Sequence, residues 1–278
     1  MLEYNLSEIE SFLNDDVGFG DITTIYQNID FHAKIVFKAR EDLILSSLDG
    51  VEMICKLNDL KLQSDFKNGD LVAKDSEFAI IFGRYKKLQK IIKSTQILLE
   101  NACAIATKTK EYLNLIKDYN THLYTTRKVI PFAKKMCLKA VLDAGANIHR
   151  FNLNDSLVFF KNHINAYSNY ESFLNDLKRI KSLHCKGFLI VEADNFDEAK
   201  MLLNANVDCI QCDKFNLLDI KNIVKLKNEI NKNCKILATG GINEKNIKDY
   251  ASLGVDGIIT SAPYFAKPCD IGAKILKI

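Results

Sequence analysis

Residues 188–263 read FLIVEADNFDEAKMLLNANVDCIQCDKFNLLDIKNIVKLKNEINKNCKILATGGINEKNIKDYASLGVDGIITSAP. Four short apolar runs (FLIVEA, DCIQC, KILATGG and GIITSAP) alternate with three stretches of helical spacing (FDEAKMLLNAN, LLDIKNIVKLKNEIN and NEKNIKDYASLG). Short apolar runs bounded by polar clusters read as buried strands. A helix between two such strands makes them parallel neighbours joined by a crossover. The rhythm extends upstream. HLYTT is strand-like, PFAKKMCLKAVLDAG is helical and closed by Gly145, NIHRF and SLVFF are short apolar runs, and YESFLNDLKRIKSL is helical. About seven strand signals suit either an open doubly wound sheet or a barrel.

The polar residues at the strand ends decide between these two. Arg127 and Lys128 follow HLYTT, and His149 and Arg150 lie in the next run. Lys161 and His163 follow SLVFF, Glu192 ends LIVE, and Asp213 ends CIQCD. Gly240 and Gly241 follow LAT, and Ser261 follows IIT. Nearly every strand carries a charged or hydrogen-bonding group at its C-terminal end. In a barrel those ends meet at one mouth, whereas an open sheet gathers its site at one switch point. The expected fold is α/β, an incomplete parallel barrel of the TIM type with a smaller N-terminal α+β domain.

Residues 1–88 have the other texture: SEIESFLNDD and GVEMICKLN are helical, AKIVFKA and EDLILSS are strand-like, and DLVAKDSEFAIIFG reads as a hairpin-rich return. Residues 89–117 then form one long helical stretch, with Ile91, Leu98, Ala102 and Ile105 on its apolar face. The expected domains are 1–103 and 104–278, with the last residues returning to pack on the first domain.

Composition bounds the function. The 278 residues are 47% hydrophobic and 26% charged, which suits a globular protein with a substantial core. The net charge of +3 is too small to argue for general nucleic-acid binding. There is no transmembrane-length apolar run, and MLEYNLSEIESFLNDD lacks the basic and apolar regions of a signal peptide, so a cytoplasmic protein is expected. The eight cysteines are scattered, and only Cys209 and Cys212 have metal-like spacing. They lie in a strand, where positions i and i+3 face opposite ways, so structural cysteines are expected.

The chemistry concentrates in three groups. Arg127, Lys128, His149, Arg150 and Lys161 form a basic set, and arginine forks bind carboxylate or phosphate bidentately, so a substrate with several negative charges is expected. Glu192 and Asp213 are carboxylates on successive strands, suited to Mg²⁺ or ribose hydroxyls. Thr239, Gly240 and Gly241, with a helix expected to start near Asn243, and Ser261 on the next strand suit a phosphate. Gly18 to Thr24, GFGDITT, reads as a turn in which Asp21 or Thr23 caps a helix.

The segments GFGDITT, TRK, HRFNLND, SLVFFKNH, VEADN, ATGGI and TSAPYFAKPCDIG, in this order, resemble the quinolinate phosphoribosyltransferase family, also called nicotinate-nucleotide pyrophosphorylase (carboxylating). Within it the chain is most similar to the branch called ModD, associated with molybdenum transport genes, through KSTQILLENACAIAT with Lys93, SLVFFKNH and TSAPY. The resemblance implies an incomplete barrel with a small α/β domain and a homodimer whose subunits complete each other's sites. It implies that Arg127, His149 and Arg150 bind the acid substrate beside Lys128. Glu192 and Asp213 would face the ribose and Mg²⁺ of phosphoribosyl pyrophosphate, and Thr239, Gly240, Gly241 and Ser261 its phosphates. Two departures stand out. Lys93 replaces an arginine of the dimer-crossing helix, and Phe160 replaces a catalytic lysine, with Lys161 one place later. The expected activity is ModD-type pentosyl transfer to an aromatic or heterocyclic acid. The alternatives are quinolinate phosphoribosyl transfer for NAD synthesis and non-catalytic binding of an oxyanion such as molybdate; the two carboxylates argue against the latter.

Overall fold

A computed structural model describes residues 2–183 and 188–278. Its elements begin with α1 (Leu6–Val17), α2 (Ile22–Gln27), β1 (His32–Ala39), β2 (Leu43–Ile44), α3 (Leu48–Leu57), β3 (Lys61–Gln63), β4 (Leu71–Val72), β5 (Glu77–Arg84) and α4 (Tyr85–Ile116). They continue with β6 (His122–Thr125), α5 (Lys134–Asp143), β7 (Asn147–Ile148), β8 (Leu157–Phe159), α6 (Lys161–Ile164), α7 (Tyr170–Leu183), β9 (Leu189–Ala193) and α8 (Phe196–Asn204). The last are β10 (Cys209–Asp213), α9 (Leu217–Ile230), β11 (Lys235–Thr239), α10 (Ile247–Ser252), β12 (Gly257–Thr260), a 3-10 turn (Ala262–Phe265) and β13 (Ile271–Lys277). They form two compact units. One comprises Met1–Lys110, Val129–Gly145 and Pro263–Ile278; the other comprises Glu111–Lys128 and Ala146–Ala262.

The first unit is built on an antiparallel sheet in the order β13-β1-β5-β3. Ile35 on β1 lies opposite Ile81 on β5 and Ile275 on β13, so the final strand joins a sheet begun some 240 residues earlier. Ile35, Phe37, Phe78 and Ile81 are buried with the α4 residues Leu88, Ile91, Leu98, Leu99 and Cys103. Their three- and four-residue spacing gives α4 its apolar stripe, and each large side chain so covered stabilises by about 1.5–3 kcal/mol. Helix α4 starts at Tyr85, earlier than its periodicity indicates, because Asp30 accepts the Lys86 N–H at 3.2 Å. That carboxylate satisfies an otherwise orphaned helix donor from far away in sequence.

The second unit carries the expected parallel sheet, in the order β7-β6-β12-β11-β10-β9-β8. Strands β7 and β8 stand at its two edges, and the sheet curls into an incomplete barrel. Strands β9 to β12 are buried almost throughout, as a parallel sheet covered on both faces requires. Alternation sends one set of side chains inward. Val158, Ile190, Cys209, Leu237 and Ile259 pack together there, with Tyr124 and Phe160 against them. The Asn195 side chain caps α8 through Glu198 N–H, and Asn216 caps α9 through Asp219 N–H. Each cap lies two or three residues beyond a strand end, which keeps the strand-to-helix loops short.

The seven cysteines among the described residues are buried and form no disulfide. Cys209 belongs to the interior cluster and Cys212 does not, as their separation along the strand dictates. Cys185 lies outside the described residues. Among those residues, no helix is long and apolar enough to cross a membrane.

Candidate active site

The inward positions one step beyond the apolar cluster are polar. In β10, Cys209 is followed on the same face by Gln211 and then Asp213. Gln211 pairs in register with Glu192 on β9, and Asp213 with Thr239 on β11. A cavity of about 720 Å³ opens over these residues, within the usual range for a small-molecule site.

Ten of the residues singled out above line this one cavity: Arg127, Lys128, His149, Arg150, Glu192, Asp213, Thr239, Gly240, Gly241 and Ser261. Arg127 and Lys128 are exposed at the end of β6, where the Thr126 hydroxyl accepts the Lys128 N–H at 3.0 Å and shapes the turn. Arg150 is buried, its Nη2 donates to the Leu153 carbonyl at 2.6 Å, and its Nε lies 3.6 Å from Asp155. Arg150 therefore arrives oriented, with part of its donor capacity already used by its own loop. His149 N–H donates to the Thr125 carbonyl. Its ring is largely buried, and desolvation, with Arg150 beside it, pushes its pKa down to about 4 against Asp155's opposing charge. The imidazole is neutral at pH 7, and its Nε2 has no protein partner among the described residues.

Burial pushes the Glu192 carboxyl up, and the charge of Asp213 adds to this; the Lys161 main-chain N–H and Gln211 act in the opposite direction. A carboxyl raised by burial and by a neighbouring negative charge forms part of a site that a cation relieves. Among the described residues no group of three or more His, Cys, Asp or Glu side chains could hold a metal unaided. A pair of carboxylates fits Mg²⁺ that keeps waters and takes its remaining ligands from substrate phosphates.

The loop after β11 depends on Gly240. Its φ is +89°, and a Cβ there would lie 2.7 Å from Asp213 Oδ1 and 2.5 Å from Lys214 Cγ. The helix expected near Asn243 begins instead at Ile247 and is six residues long. The Asn243 and Asn246 side chains donate to the Gly241 carbonyl and hold residues 241–246 as a loop. Ser261 follows Thr260, whose hydroxyl donates to the Ile242 carbonyl at 2.8 Å and ties the two loops together.

Two expected members stand elsewhere. Phe160, not Lys161, lines the cavity. Lys161 points away and is held by Asp194 at 3.0 Å and Glu198 at 2.9 Å, because one step along an extended chain reverses the side chain. Only its main-chain N–H serves the cavity, through Glu192. His163 Nδ1 accepts the Phe160 N–H at 3.0 Å within its own loop. Lys93 belongs to the other unit, exposed on α4 and bonded to Gln96. The lining also includes Asn243 and, beyond the residues singled out from the sequence, Gln211, Asn162 and Lys214. Gln211 was detectable as the position two before Asp213 on the same strand face.

The chain matches two family models, Quinolinate phosphoribosyl transferase, N-terminal domain, over residues 21–103, and Quinolinate phosphoribosyl transferase, C-terminal domain, over residues 105–274. It is 35% identical to the protein named as pyrophosphorylase ModD in Pasteurella multocida (strain Pm70), over 100% of this chain and 99% of that one. It is 29% identical to a Methanocaldococcus jannaschii protein named as a nicotinate-nucleotide pyrophosphorylase (carboxylating), over 99% of this chain and 98% of that one. The fold matches the nicotinate-nucleotide pyrophosphorylase structure from Ehrlichia chaffeensis with a TM-score of 0.92 at 24% identity, over 99% of this chain and 100% of that one. It matches the one from Francisella tularensis at 0.90 and 22%, over 99% and 98%. With both halves of the family represented along nearly its whole length, the chain belongs to the quinolinate phosphoribosyl transferase family of pentosyltransferases.

Proposed function

We propose that this chain is a phosphoribosyltransferase of the ModD type, moving the phosphoribosyl group of phosphoribosyl pyrophosphate onto an aromatic or heterocyclic acid with release of pyrophosphate. The observation that carries this reading is a single cavity holding a basic group, two carboxylates and a diglycine loop on adjacent strand ends. Arg127, Lys128 and Arg150 are suited to the acid's carboxylate, with neutral His149 as a hydrogen-bonding neighbour. Thr239, Gly240, Gly241 and Ser261 are suited to the donor's phosphates. Glu192 and Asp213 would face the ribose and hold Mg²⁺, which would supply a hard positive charge for the leaving pyrophosphate. The protein's own contribution is alignment of the ring nucleophile with the anomeric carbon and fixed charge placed before reaction.

The second departure from the quinolinate enzymes, Phe160 with Lys161 turned away, disfavours quinolinate as the acid. The homodimer with a shared site is part of the same proposal. Lys93 lies one helical turn from Ile97, which is exposed, and Phe19, Ile22, Ile25 and Tyr26 of the same unit are exposed too. A partner subunit that covers such side chains would receive Lys93 at its cavity.

The test is pyrophosphate release from phosphoribosyl pyrophosphate with Mg²⁺ and a panel of heterocyclic acids. Arg127→Ala, which removes an exposed side chain, is expected to raise KM for the active acid at least tenfold with little change for the sugar donor. Asp213→Ala is expected to impair use of the donor. Equal losses for both substrates in both folded variants would defeat the division of labour, and no release with any acid would defeat the reading.

A further inference from the structure

Gln211 has no part in the scheme above. It lines the cavity yet is 5% exposed, and its Nε2 donates to Glu192 Oε2 at 2.8 Å. An ionised carboxylate oxygen only accepts hydrogen bonds, so this contact sets the amide's orientation and leaves the carbonyl as the free end. That atom, Oε1, is buried without a protein partner among the described residues. Glu192 lies beside it, and the ring of Phe160 lines the same cavity. Gln211 and Glu192 therefore present an amide carbonyl and a carboxylate side by side, and Lys161 brings them no cation, since its ammonium is turned to Asp194 and Glu198. A substrate carboxylate directed at this pair would meet two acceptors. A neutral N–H or O–H would complete the one unmet hydrogen bond, and a planar heterocycle suits the flat face of Phe160.

We infer that Gln211 determines acceptor specificity: its Oε1 takes a hydrogen bond from a neutral N–H or O–H on the acceptor ring, so the site selects an aromatic acid with one carboxylate and a ring amino, hydroxyl or lactam donor over a ring dicarboxylate. The inference rests on the phosphoribosyltransferase reading for the nature of the acid, but its test does not need the sugar donor. A buried acceptor left without its donor weakens binding about 10- to 100-fold.

Calorimetry on the full chain would compare nicotinate, quinolinate and the 2-, 5- and 6-aminonicotinates. At least one aminonicotinate is expected to bind about 10- to 100-fold tighter than nicotinate, with quinolinate weaker than that aminonicotinate. Gln211→Met, close in length but without an acceptor, is expected to erase the gap while leaving nicotinate binding within about threefold of the parent. Gln211→Asn, which retains an amide, keeps part of the gap and serves if the methionine variant fails to fold. A gap that survives in folded Gln211→Met, a gap undiminished in Gln211→Asn where the methionine variant does not fold, or no aminonicotinate that exceeds nicotinate overturns the inference. A ribose hydroxyl is the other source of a donor. If Gln211→Met weakens ribose 5-phosphate but not 2-deoxyribose 5-phosphate, with the ring-acid ratios unchanged, the carbonyl reads the sugar and the inference fails. A Gln211-dependent gap without pyrophosphate release from phosphoribosyl pyrophosphate would keep this inference and defeat the transfer reading instead.

Discussion

At His149 the burial of the ring and the neighbouring Arg150 both disfavour the imidazolium, which is why its pKa falls to about 4 from an ordinary 6.5. The unfolded chain therefore binds more protons here than the folded one between these two values. The ring's contribution to stability is full above pH 6.5 and is lost as the pH falls through about 4. The amount at stake is about 3 kcal/mol. A His149→Gln variant should accordingly lose less stability than the parent between pH 7 and pH 4.5, measured by urea midpoints. The imidazole proton resonances should titrate with a midpoint near 4, and a midpoint above 6 would contradict the burial argument. The same neutral ring keeps the basic set from presenting one more fixed charge beside Arg150, so the acid's affinity should change little between pH 6 and 8 on account of this residue.

Among the elements, the loop after β11 and the opposite ends of β11 and β12 show two kinds of sensitivity. Gly240→Ala forces a Cβ into Asp213 and Lys214 at a backbone angle that L residues avoid. Gly241→Ala, with φ +72° and nothing within 4 Å, meets only the conformational penalty of about 1–2 kcal/mol. Pyrophosphate release should therefore fall by at least tenfold in Gly240→Ala and clearly less in Gly241→Ala; equal effects would mean that crowding against Asp213 is irrelevant. At the other end, Asp256 accepts the Ile236 N–H and the ammonium groups of Lys227 and Lys235 at 2.9–3.0 Å, tying α9 and β11 to the start of β12. Burial pushes the Asp256 carboxyl up, but those donors outweigh it and the net direction is downward. Its stabilisation is thus present above the ordinary carboxyl range and lost as the pH falls through the lowered value. Asp256→Asn should destabilise by about 2 kcal/mol at pH 7 in urea unfolding, with the difference shrinking in acid.

At the scale of the whole molecule, the proposed shared site makes a complementation prediction. Lys93→Ala and Asp213→Ala proteins, each inactive alone, should recover about a quarter of wild-type activity after subunit exchange at equal concentrations, because half of the subunit pairs then contain one intact site of two. No recovery, with mixed dimers shown to form, would place both residues in one subunit's site. Sizing by light scattering should give a dimer, and Ile97→Asp should shift it towards monomer.

The primary sequence alone determined the parallel βα order, the polar strand ends and the family motifs, because periodicity and turn chemistry are local properties of the chain. It also gave reason to doubt Lys161, since alternation along an extended segment is a local rule. The start of α4 was decided by Asp30, and the joining of β13 to β1 spans the whole chain; neither is local. The late start of α10 came from asparagine side chains bonding the Gly241 carbonyl, a competition between loop and helix that the sequence poses without deciding. Only the tertiary structure showed that Gln211 is pinned by Glu192 with its carbonyl left free, because burial and hydrogen-bond geometry depend on which strands are neighbours and in what register.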